Sequence, residues 1–188
     1  DTEMLELNRI SAGYGKQTVL DGISVDFEKG KLTSIIGVNG CGKSTLLKAI
    51  LGILSLSSGE IFIDGENLLT ISRNEIAKKI AYLSQGKNIP DMTVEQMVLH
   101  GRFPYLSYPR RYSSHDREVA IKAMEIVGVA EFAHKPLYSL SGGMRQNAYI
   151  AMALAQDTDY ILLDEPTTYL DIAHQLELMR LLKQLSDN

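Results

Sequence analysis

The run Gly37-Val-Asn-Gly-Cys-Gly-Lys-Ser44 restricts the fold of this chain more than any other stretch. It fits the pattern G-x-x-x-x-G-K-[ST], extended by Thr45. It stands between an apolar strand-like run, Leu32 to Ile36, and a helix-like one, Ser44 to Leu51. A loop that wraps an anion with its own N–H groups needs glycine. Gly37, Gly40 and Gly42 can take positive φ and bring no Cβ toward a ligand, so successive amides can converge. The helix expected to start near Gly42 adds about half a positive charge at its N-terminus. Lys43 is placed to reach β- and γ-phosphates, and the Ser44 hydroxyl to ligate Mg²⁺, a hard cation that favours oxygen. A Gly-rich turn before an ordinary helix has the same spacing, but the flanking strand and helix weigh against it.

With 188 residues, 45% of them hydrophobic, the chain can bury one sizeable core with a smaller subdomain. Its net charge of −4 and scattered Lys and Arg lack the footprint of a dedicated nucleic-acid binder. Tyr105-Leu-Ser-Tyr-Pro-Arg-Arg-Tyr112 mixes aromatic and basic residues and reads as a solvated loop. The single cysteine, Cys41, precludes a disulfide within the chain and fits a reducing compartment. It lies inside the phosphate loop, so alkylating it should block nucleotide. No apolar run approaches the roughly 18 residues of a membrane-spanning helix.

Alternation over residues 4 to 10 and 18 to 27 predicts two strands joined at Gly13-Tyr-Gly15. Glu60 to Asp64 predicts a third, ending at Asp64-Gly65, for a small antiparallel sheet. Tyr14 falls in the first turn, where it either packs the turn or offers a face to a purine; spacing leaves both open. Arg73 to Lys79 reads as a short helix and Ile80 to Ser84 as a buried strand. From Met92 to about Ala155 the apolar spacing turns helical, as in Val94 to Leu99 and Val119 to Val127. Ile172 to Leu185 reads as an amphipathic helix with Leu176, Met179 and Leu182 on one face.

Two further clusters carry chemistry. Tyr160 to Leu163 is an apolar run ended by Asp164-Glu165-Pro166, the form of a buried parallel strand delivering acids at its C-terminal edge. Carboxylates there are costly unless something nearby needs negative charge. Beside a phosphate loop, Asp164 would hold the metal and Glu165 would polarise the attacking water. Leu140-Ser-Gly-Gly-Met144 opens the run Gln146 to Ala155: a Ser N-cap backed by side-chain-free amides, and so a second anion site or an ordinary cap. Two anion sites with one set of acids are both used if the second serves a neighbouring molecule's nucleotide.

Taken in order, Gly37 to Thr45, Gln85, Leu140 to Met144, Ile161-Leu-Leu-Asp-Glu165 and Thr168-Tyr-Leu-Asp171 resemble the nucleotide-binding subunits of ABC transporters. Thr93 to Tyr105, Ala151 to Gln156 and Glu165 to Gln175 most resemble those of ferric-siderophore importers, with haem and cobalamin importers close by. The resemblance implies an α/β P-loop NTPase fold: a RecA-like parallel core from residues 1–86 and 156–188, with a small antiparallel β subdomain and a helical insertion, 87–155, that carries the signature motif. It implies ATP and Mg²⁺ as ligands, with Tyr14 stacking on adenine and Asn39, Gly40, Cys41, Gly42, Lys43, Ser44 and Thr45 around the phosphates. Ser44, Gln85 and Asp164 would serve the metal. Glu165 would be the general base, assisted by Lys43 and Gln85. Ser141, Gly142 and Gly143 would meet the γ-phosphate of a second copy in a head-to-tail ATP-sandwich dimer, with Asp171 crossing the interface. The implied partners are an integral membrane permease and, indirectly, an external substrate-binding protein, at the cytoplasmic face of the cell membrane. Nucleic acid is not among them. A soluble non-transport ABC ATPase, or a nucleotide-binding module without efficient turnover, is the alternative.

The chain departs from that family in four places. Met144 stands for a usual glutamine, Asn147 for a frequent arginine and Val38 for a common proline. The family also continues past the last helix with a core strand and a histidine, so the resemblance implies a C-terminally incomplete domain, an impaired hydrolase with apolar surface exposed. His174, three residues past Asp171, is expected to cap or solvate its helix. His100, His115 and His134 are expected to be structural or exposed.

Overall fold

The computed structural model describes residues 4–84, 88–168 and 170–187. The chain forms two compact units, one reaching Ile76 and taking in the chain end from Ser186, the other spanning Ala77–Leu185.

In the first unit, strands β1 (Met4–Tyr14), β2 (Gln17–Glu28), β3 (Leu56–Ile63) and β4 (Glu66–Asn67) make one antiparallel sheet in the order β2-β1-β3-β4. The expected hairpin and third strand are present, each longer than its alternation suggested. β1 sends Leu5 and Leu7 inward, shifts register after Leu7, and then buries Ile10, Ser11 and Ala12. Arg9 sits in that irregularity at φ 46°, and the shift lets one strand bend and present three neighbours to the core. Helix α1 (Lys43–Ile50) packs on β1 and β2 and buries Leu46, Leu47, Ala49 and Ile50.

Leu32 to Ile36 is not a strand. Residues 31–38 form neither helix nor ladder and are exposed, Ile36 to 94%. An apolar run counts as a strand only when a neighbouring backbone takes up its N–H and C=O groups. Among the described residues none does so here.

The second unit holds a parallel pair, β5 (Ile80–Leu83) and β6 (Tyr160–Leu163), in the register Ile80 to Tyr160 through Leu83 to Leu163. This pair packs with helices of the same unit, α5 among them. The unit also contains α3 (Val94–Leu99), α4 (Ser114–Ile126), α5 (Gly142–Ala155) and all but the last residue of α6 (Ile172–Ser186), while α2 (Arg73–Lys79) straddles the division. One apolar cluster joins Val94, Val98, Met124, Leu137, Ile150 and Leu178. The face of α6 is corrected: Leu178 is its buried residue, with Leu181, Leu182 and Leu185 against the same cluster. Leu176 and Met179 are exposed.

Candidate functional site

Two of the three loop glycines adopt the left-handed backbone open to them. Gly40 and Gly42 take φ of 81° and 103°, whereas Gly37 does not adopt positive φ. Gly42 is the residue that only glycine can supply. It is the left-handed N-cap of α1, and a Cβ there would stand 3.1 Å from Val19 Cγ1 and 3.3 Å from Leu20 Cδ2. At Gly37 the corresponding space is taken by the Cys41 sulfur. Cys41 N–H donates to the Val38 carbonyl at 3.2 Å, closing the turn. Lys43 folds back over the loop, its Nζ donating to the carbonyls of Gly37 (2.7 Å) and Val38 (3.0 Å). The ammonium is thus held over the exposed loop by neutral acceptors that a phosphate oxygen can replace. Asn39 and Cys41 are exposed, Ser44 is half-buried and Thr45 is buried in the first turn of α1. Tyr14, at the end of β1, exposes half its surface, and Lys48 Nζ lies 6.0 Å from its ring centre. Such a ring is free to receive a planar base.

The second unit carries the acids. Asp164 follows β6, and its N–H donates to the Leu83 carbonyl at 3.0 Å, extending the parallel ladder past the last strand residue. Its carboxylate accepts from the Tyr82 hydroxyl at 3.2 Å. Burial, then the Asp164 charge and that hydrogen bond, push the Tyr82 phenol up to about 12, so it stays a neutral donor near neutral pH. Glu165 is exposed and sits at φ 49°, the left-handed region that costs a non-glycine residue about 1–2 kcal/mol. Thr168 supports it twice: Thr168 N–H donates to the Glu165 carbonyl (3.1 Å) and its hydroxyl to Glu165 Oε2 (3.3 Å). A strained, exposed carboxylate beside a half-buried one gives the pair distinct environments. A cavity of about 710 Å³ takes in Asp164, Glu165, Tyr82, Gly142 and Gln146.

Ser141 is the N-cap of α5, its hydroxyl accepting from Met144 N–H at 3.2 Å. Ser141 and Gly142 are exposed, so the helix start is open to solvent. The two substituted positions turn inward instead of toward an anion. Asn147 Nδ2 donates to the Val127 carbonyl at 3.1 Å, and Met144 packs on the helical core. Asp171 precedes α6 and accepts from the His174 N–H at 2.9 Å.

Gln85 lies outside the described residues, as does Tyr169 within the Thr168 to Asp171 run. His100, His115 and His134 are exposed, as expected. Two residues escaped the sequence reading. Tyr82 reaches Asp164 because parallel pairing with Leu162 puts it on the face that Asp164 shares. His174, expected only to cap or solvate its helix, has its ring against Gly143. No spacing signals either contact, since each joins elements far apart along the chain.

A family model described as ABC transporter matches residues 20–168. The chain is 44% identical over 184 residues to the petrobactin import ATP-binding protein FpuD of Bacillus anthracis, covering 97% of this chain and 67% of that protein. It is 44% identical over 183 residues to the iron(3+)-hydroxamate import ATP-binding protein FhuC of Bacillus subtilis, covering 97% and 68%. It thus spans about two thirds of the length of these relatives. The solved dimeric structure of a bacterial ABC transporter cassette superposes with a TM-score of 0.79 at 29% identity, over 97% of this chain and 83% of that one.

Proposed function

The chain belongs to the ABC transporter family, and from that premise we propose that it is the ATP-binding, ATP-hydrolysing subunit that energises an importer of ferric siderophores. The observation that carries the nucleotide half is the phosphate loop: two left-handed glycines ahead of α1, with the Lys43 ammonium held over the loop by its own carbonyls. Support for the transported class comes from the relatives, named for import of petrobactin and iron(3+)-hydroxamate.

On this reading Tyr14 stacks on adenine, and Asn39 to Thr45 hold the phosphates. Glu165 takes a proton from the attacking water, helped by Lys43 and Gln85. The side chains assigned to Mg²⁺ fit it chemically: the Ser44 hydroxyl, the Asp164 carboxylate and the carbonyl oxygen of the Gln85 amide are hard oxygen donors. The ion, when bound, neutralises charge on the β- and γ-phosphate oxygens. A second copy contributes Ser141, Gly142, Gly143 and Asp171 head to tail, in keeping with the dimeric cassette among the similar structures. An integral membrane permease holds the pair at the cytoplasmic face of the membrane, and an external binding protein delivers the cargo. Within the described residues no helix is long and apolar enough to cross a membrane.

Glu165→Gln tests the assignment. Turnover should fall at least about 100-fold, the scale of a lost general base, while ATP binding persists and ATP-bound dimers accumulate in sedimentation. Unchanged turnover would overturn the base assignment. Nucleic acid in place of a membrane partner on purification would overturn the transport role.

A further inference from the structure

We propose that His174 is a positioning residue: its ring ties Asp171 to the first turn of α5 and so holds the Ser141-Gly-Gly amides in place for an anion. The inference rests on the two-copy nucleotide reading above.

Three observations converge on it. Asp171 Oδ1 accepts twice from one residue, from the His174 backbone N–H at 2.9 Å and from ring Nδ1 at 2.8 Å. The backbone N–H of His174 first, and then its ring, hold the Asp171 carboxyl below the usual range. It is therefore ionised near neutral pH, and Nδ1 must be the donor. That pins the ring from one edge. The other edge occupies the space that a side chain at position 143 would need: Nε2 and Cγ lie 2.8 and 2.9 Å from where a Cβ would stand. Only glycine lets the ring sit there. Finally, both helices are anchored on one core, α6 by Leu178 and α5 by Ala148, Ile150 and Ala151. A ring hydrogen-bonded at one edge and packed on Gly143 at the other, between two helices anchored on one core, leaves the first turn of α5 little room to fray.

The test uses the full chain carrying Glu165→Gln, so that bound ATP is not consumed. Adding His174→Ala should leave the affinity for fluorescent ATP unchanged, yet weaken ATP-dependent dimerisation about tenfold, the scale of one lost charge-assisted hydrogen bond. His174→Asn, which can still donate to Asp171, should recover part of that loss. Gly143→Ala, which displaces the ring, should weaken dimers as His174→Ala does, and the two together should cost little more than either alone. Amide hydrogen exchange over residues 142–145 supplies a readout independent of dimerisation, and His174→Ala should speed it. If the chain with Glu165→Gln alone does not dimerise with ATP, the two-copy reading falls and the exchange result decides whether His174 holds the turn. Unchanged exchange, or dimerisation equal to that of the chain with Glu165→Gln alone, overturns the proposal.

Discussion

Single residues set the chemistry of the phosphate loop through what they lack or what they hold. Gly42 lacks a Cβ where φ is 103° and where Val19 and Leu20 would crowd one. Lys43 keeps its charge over the loop through two carbonyl contacts. Cys41 is exposed in the same loop, its sulfur 4.0 Å from Lys43 Nζ. Iodoacetate should therefore modify it and leave a carboxylate beside the lysine. We expect that modification to lower ATP affinity by about tenfold or more, since the new carboxylate competes with phosphate for the Lys43 ammonium, and like charges about 4 Å apart repel by roughly 1 kcal/mol in water and about 4 kcal/mol near a protein surface. Mg-ATP should slow the labelling. Mass spectrometry for modification and fluorescence titration for affinity check both, and equal affinity after complete labelling would rule out the close approach. Glu165 is the contrasting case, a residue held at φ 49° through its bonds with Thr168. Strain at an exposed acid is the kind of local irregularity that functional sites retain.

At the scale of elements, the helical unit is held by caps and one buried ion pair. Ser113 and Asp116 form a reciprocal capping box at the start of α4. Asp116 also accepts from Arg102 Nε at 3.0 Å, with both side chains buried. Arg102 further donates to the Ala155 carbonyl at 2.9 Å and stacks over the Tyr105 ring at 4.0 Å, so α4, α5 and the turn after α3 meet on one guanidinium. Burial pushes the Asp116 carboxyl up, but the hydroxyl and N–H of Ser113 together with Arg102 outweigh it and hold the group below its usual value. A depressed carboxyl stabilises the fold fully above the unfolded value of about 3.9. That contribution is lost as pH falls through the lower folded value. Asp116→Asn leaves Arg102 buried without its counter-charge and should cost about 3 kcal/mol at pH 7. The difference from the parent chain should shrink as pH falls below about 4, where the unfolded carboxyl takes up its proton first, and disappear once the folded carboxyl is protonated as well. Urea unfolding at a series of pH values measures this, and a cost that does not vary with pH would show the charge to be idle.

At the scale of the whole molecule, two compact units each carry part of the chemistry, the phosphate loop in one and the acids with the Ser-Gly-Gly turn in the other. Leu32, Ile35, Ile36 and Val38, leading into the loop, are exposed together, and such a patch favours association. Ile36→Lys in this 188-residue chain should reduce binding of a hydrophobic dye and delay aggregation. It should shift stability by no more than about 0.5 kcal/mol, as surface changes do. A larger loss in thermal unfolding would mean that Ile36 is packed. Much here was legible in the sequence, wherever the physics is local. The glycines of the loop, the Ser141 cap three residues from its acceptor, the alternation of β1 and β2 and the acids at the end of β6 all follow from near neighbours along the backbone. Tertiary structure decided what depends on a distant backbone. Ladder partners left 32–36 outside any strand, parallel register brought Tyr82 to Asp164, packing chose Leu178 over Leu176 as the inward face of α6, and close approach seated His174 on Gly143. Hydrogen-bond ladders and burial are properties of pairs of segments, and spacing within one segment does not contain them.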